Sequence, residues 1–176
     1  MLTEQANMRL NSRSKERDLQ MTLNLLSNFW ATAVCATALT AAAATGAELA
    51  TSDHESGTAR AEVLELKRIP GGMLMLRVAI SNTGRTPMDS TQFDGPSSVD
   101  SSTFSGTNLI DPLNKKKYFV VRDGVNTCVC SQGLKSLLPG ARMLVWARYP
   151  APPEGVQKIS VMIPHFLPMD EVAIGK

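Results

Sequence analysis

Histidine, cysteine and aromatic residues are scarce in this chain, and each scarcity removes a class of function. The 176 residues include only two histidines and three cysteines, and aromatics make up 5%. His54 lies in a polar stretch and His165 in a Pro-His-Phe turn, so no spacing puts either beside a nucleophile. A Gly-x-Ser-x-Gly elbow, a phosphate-cradling loop and a His-Glu-x-x-His pair are all missing. The inventory for general acid–base work is nearly empty, which points away from an enzyme and requires no cofactor. Asp89, Asp94 and Asp100 lack the spacing of a calcium loop, and no resident metal is expected. Few aromatics and a net charge of +2, with both signs scattered, leave neither a stacking surface nor a basic stripe for nucleic acid.

Charge is also absent locally. Arg9, Arg13, Lys15 and Arg17 cluster early, and then no residue from Leu19 to Ala47 is charged. The later part of that stretch is built largely of Ala and Thr, and Thr45-Gly46-Ala47 supplies small residues before Glu48. A basic leader, an apolar middle and a small-residue exit follow the plan of a secretory signal peptide. Residues 1–47 are therefore read as a signal helix, with Met8 as an alternative start that keeps all four basic residues. A retained anchor and an ordinary soluble helix are the competing readings, the stretch being long enough to span but weakly hydrophobic. The expected location is secreted or cell-envelope. Membrane contact is expected only through this segment, if it is not cleaved.

Beyond it, residues 48–60 are small and polar, the composition of a linker. From Ala61 the apolar period becomes two. Leu64 and Leu66 are read on one face of a first strand, and Leu74, Leu76, Val78 and Ile80 on one face of a second. Ile69-Pro-Gly-Gly72 between them has hairpin turn chemistry. Met73 and Met75, on the opposite face, are read as core filler. Further alternation appears in 117–123, 142–149, 157–163 and around 171–174, with Trp146 and the inward Leu, Val and Ile expected between two sheets. Residues 88–106 are rich in Ser, Thr, Asp and Gly, long enough to be mobile, to hide a short strand, or to carry recognition. About seven short strands and no useful amphipathic helix predict an all-β fold, an antiparallel β-sandwich over residues 61–176.

Two side-chain groups stand out as candidate sites. Cys128 and Cys130 remain after export, an even number, and a disulfide is the expected state in an oxidising compartment. In an extended strand their Cα atoms would lie ~6.5–7 Å apart, the limit of a relaxed bridge, so a local turn or bulge is required. Free thiols, a redox pair or a soft-metal site stay open as alternatives. Lys115, Lys116 and Lys117 with Arg122 form a candidate contact for an anionic partner, or else a solvated turn that discourages edge pairing.

The run from Asn108 to Asp123, then Cys128-Val-Cys-Ser131, Leu138-Pro-Gly140, Tyr149-Pro-Ala-Pro-Pro153 and Val161-Met-Ile-Pro-His-Phe166, resembles secreted immunoglobulin-like modules of bacteria. Some such modules precede an OmpA-like domain in cell-envelope proteins, and the Asn82-Thr83-Gly84 strand end is similar to their telokin-like group. The resemblance implies an immunoglobulin-like sandwich. With the sequence ending at Lys176 it carries no expectation of peptidoglycan binding. The expected function is a non-catalytic module for interaction with a protein or envelope component. The alternative is a thiol- or metal-handling protein using Cys128 and Cys130.

Overall fold

The period-two segments become strands in the computed structural model, which describes residues 48–96 and 100–176. The expected signal helix lies outside the described residues. Among the described residues eight strands form: β1 (Ala50–Asp53), β2 (Ala59–Ile69), β3 (Met73–Asn82), β4 (Asn108–Asp111), β5 (Lys116–Phe119), β6 (Arg142–Pro150), β7 (Lys158–Met162) and β8 (Met169–Ala173). They make two four-stranded antiparallel sheets, ordered β1-β2-β3-β6 and β5-β4-β7-β8. The fold is all-β and sandwich-like. Among the described residues the only helix is one 3-10 turn, Ser90–Phe93. The segment read as a linker supplies β1, which pairs with β2 from Ala50 opposite Val63 to Asp53 opposite Arg60.

Side-chain alternation explains the core. Leu74, Leu76, Val78 and Ile80 of β3 are fully buried, as are Val63 and Leu66 of β2 and Val145, Ala147 and Tyr149 of β6. From the other sheet come Leu109, Ile159, Val161 and Val172. Burying each large apolar side chain contributes about 1.5–3 kcal/mol before chain entropy is set against it. One register differs from simple alternation. A bulge between Val63 and Glu65 makes Leu64 an extra residue, so Val63 and Leu66, rather than Leu64 and Leu66, point inward.

The ends of the sandwich are closed by specific groups. Gly71 and Gly72 take positive φ in the β2–β3 turn, as that sequence requires. Pro150–Pro153 offers carbonyls without matching donors, and the Arg68 guanidinium answers by donating to the carbonyls of Pro152, Pro153 and Val156. Asn82, at the end of β3, donates from Nδ2 to the carbonyls of Thr86 and Leu137 and accepts from the Gly84 amide. This one buried amide ties the turn after β3 to the segment before β6.

The described parts of the long polar segment, 88–96 and 100–106, are built into the core rather than hung outside it. Phe93 and Phe104 are fully buried and pack edge-on. Asp94 accepts from the amides of Ser102 and Thr103 and from the Thr103 hydroxyl. At Gly106 a Cβ would stand 2.6 Å from the Asp94 carbonyl oxygen, so the chain crosses there only without a side chain.

Candidate functional site

With Val145, Ala147 and Tyr149 turned inward, period-two geometry turns Leu144, Trp146 and Arg148 of β6 outward. Trp146 is 37% exposed and Leu144 60%, so the expectation of Trp146 as core filler is corrected. The register sets its neighbours: Arg77 lies opposite Trp146, Met75 opposite Arg148, Lys67 opposite Met75, and Glu65 opposite Arg77. These residues line a shallow depression of about 460 Å³ on the outer face of the first sheet. Met73 and Met75 belong to this outer side, half-buried, and not to the core.

The charge of the depression follows from its pairs. Glu65 receives Lys67 at 2.6 Å and lies 3.9 Å from Arg77. Arg148 has its guanidinium carbon 5.9 Å from the Trp146 ring centre, and its buried Nε has no hydrogen-bond partner. Three cations therefore face one carboxylate around an indole and a thioether.

The neighbouring chain segment limits how this face is used. Ser131 donates its amide to the Trp146 carbonyl, and its hydroxyl accepts from the Trp146 amide. Arg148 donates its amide to the Val129 carbonyl. The outer edge of β6 is thus occupied along this stretch, and an added strand has no free backbone to pair with there. What this face has left to offer is its side chains.

The two groups singled out in the sequence meet at one point, where Arg122 pairs with Cys128 in a short antiparallel bridge. Cys128 and Cys130 form a disulfide with Cα atoms 5.3 Å apart, closer than an extended strand allows. The turn Asp123–Thr127, where Asn126 takes a positive φ, lies just before the bridge. Both cysteines are 4% exposed, and among the described residues no group of three or more His, Cys, Asp or Glu is placed to hold a metal ion. Lys115, Lys116 and Lys117 are exposed around the β4–β5 turn. Arg122 does not join them. Its guanidinium is engaged with the Asp100 carboxylate and the Asn126 carbonyl.

The histidines come together in a way the sequence did not signal, because β1 runs beside the turn at 165–167. Their rings stack 6.0 Å apart, and His54 meets Phe166 edge-on. His54 Nδ1 accepts from the Ser56 amide, which places the ring proton on Nε2, facing Gln92 Oε1 at 3.0 Å. Both His54 ring nitrogens are thus engaged within the domain, by Ser56 and by Gln92.

The site and fold together define an all-β, two-sheet protein with a basic, aromatic outer face. Compared with protein-family models, with curated proteins and with solved structures, the chain matches none.

Proposed function

We propose that this chain is a non-catalytic, secreted or cell-envelope immunoglobulin-like module that recognises a protein or envelope component through the outer face of β2, β3 and β6. The observation that carries this reading is Trp146 standing exposed beside Arg77, Arg148 and Met75. Aromatic, arginine and methionine side chains are the types enriched where proteins meet partners, and an unburied indole gains most when a partner covers it. The surplus of cations favours a partner with acidic groups. Export is supported by the uncharged run from Leu19 to Ala47 behind a basic leader, and by the disulfide. The immunoglobulin-like type is supported by the paired four-stranded antiparallel sheets and by the Asn82-Thr83-Gly84 strand end.

A photo-crosslinking residue at position 144, read in living cells against one at the exposed position 167, tests this. Discrete adducts should form at 144 and vanish in a Trp146→Ala background. Identical adducts at both positions, or adducts indifferent to Trp146, would count against the reading. The alternative, thiol or metal handling through Cys128 and Cys130, has less support, since both side chains are buried and no further ligand is grouped with them among the described residues.

A further inference from the structure

The β4–β5 hairpin presents a second surface with a different chemistry. Its turn is rigid by construction. The Asp111 carboxylate is fully buried, accepts from the amides of Leu113 and Asn114 and from the Asn114 side chain, and is held below the ordinary carboxylate range chiefly by that last bond. Lys115 then takes a positive φ to bring the chain back into β5. The tip displays Leu113, 80% exposed, with Lys115 and Lys116, and Lys117 and Phe119, the latter 63% exposed, follow along β5. Lys117 and Phe119 share one face, with the ammonium 5.2 Å from the ring centre. The only acidic residue in the hairpin is Asp111, already saturated by hydrogen bonds.

We propose that this hairpin is a contact element for the surface of an anionic lipid bilayer, with Lys115, Lys116 and Lys117 facing headgroups and Leu113 and Phe119 entering the interfacial layer. Edge protection of β5 explains lysines but gives no reason for an exposed leucine at the tip and an exposed phenylalanine along the strand. A soluble polyanion would use the lysines and leave both apolar residues in water. A bilayer surface is the partner that has anionic charge and an apolar layer within a few ångströms of each other. Lysine stems can lie along such a boundary with their ammonium groups at the headgroups. The inference is independent of the Trp146 face, which belongs to the other sheet.

The test uses the full chain with phosphatidylcholine vesicles, prepared with and without phosphatidylglycerol. Each lysine near an anionic surface adds about fivefold to partitioning. Combined Lys115→Gln, Lys116→Gln and Lys117→Gln should therefore weaken binding to the anionic vesicles by about a hundredfold. Combined Leu113→Ser and Phe119→Ser should weaken it by at least about tenfold. Binding to the neutral vesicles should be the same for the parent and the glutamine variant, whatever the N-terminal segment contributes. Amine labelling reads the hairpin separately: anionic vesicles should protect Lys115, Lys116 and Lys117, and neutral ones should not. Leu113→Ser alone serves if the double variant does not fold. Unprotected lysines, or variants that bind like the parent, would overturn the proposal. Loss with the glutamines but not with the serines would overturn it too, in favour of plain polyanion attraction.

Discussion

Arg122 and Asp100 form a two-pronged ion pair across 22 residues of sequence, with Nη1 3.0 Å from one carboxylate oxygen and Nη2 on the other. The Asp100 side chain is 2% exposed and that of Arg122 26%, so the pair is largely withdrawn from water. It fastens the end of the long polar segment to the turn that follows β5. Arg122 is therefore a strap within the domain, not a free contact for an anionic partner.

Removing one member of such a pair leaves the other buried and uncompensated. Arg122→Ala should lower stability by about 3 kcal/mol in urea denaturation at neutral pH. The effect should depend on pH with a definite sign. The hydrogen bond from Arg122 holds the Asp100 carboxyl below its usual range, against the opposing push of burial. A depressed native value gives stability that is present above the unfolded carboxylate range and lost as pH falls through the native one. The gap between parent and variant should thus narrow below about pH 4. A gap that is constant with pH would mean that the Asp100 charge is not the source of the loss.

Asn82 is the second strap. It is 2% exposed and uses both ends of its amide, donating twice and accepting once. Asn82→Ala should cost about 2–3 kcal/mol by thermal or urea unfolding, because the Leu137 and Thr86 carbonyls lose a donor. Asn82→Asp should be worse at neutral pH, since a carboxylate cannot donate and would face two carbonyl oxygens. Protonation should relieve part of that excess at low pH.

Two aromatic substitutions separate surface from core. Phe104→Ala should destabilise by about 3–5 kcal/mol, through a cavity under the long segment. Trp146→Ala should cost clearly less than Phe104→Ala, about 1 kcal/mol, while removing the crosslinks read from position 144. A large stability loss from Trp146→Ala would return the indole to the interior and remove the main support for the proposed contact face.

The disulfide closes a very short loop, Cys128 and Cys130 being two positions apart. In the chain-entropy view its contribution to stability is below about 2 kcal/mol. Cys128→Ala with Cys130→Ala should therefore leave a folded protein with its partner contacts intact. Loss of those contacts with folding preserved would favour the thiol-handling alternative.

The all-β fold and most of its core were legible from alternation alone. Leu74, Leu76, Val78 and Ile80, and likewise Ile159, Val161 and Ile163, are buried as their spacing demands. Alternation says which residues share a face but not which face is inside. Trp146 and Leu144 are as apolar as Val145 and Tyr149, and only the partner sheet decides between them. The bulge at Leu64 shifts the pattern by one residue without any Gly or Pro to announce it. β1 escaped notice because Ala50–Asp53 has no apolar alternation, as an edge strand of small polar residues need not. The long segment hid its role for a similar reason. Two phenylalanines anchor it, while its remaining residues resemble any solvated loop.

Export, a closed Cys128–Cys130 bridge and a domain beginning near Glu48 can be checked together by the intact mass of the protein recovered outside the cytoplasm. The account expects the mass of residues 48–176 with two hydrogens missing, restored by reductant. A full-length chain found only inside the cell, with both thiols free, would contradict it.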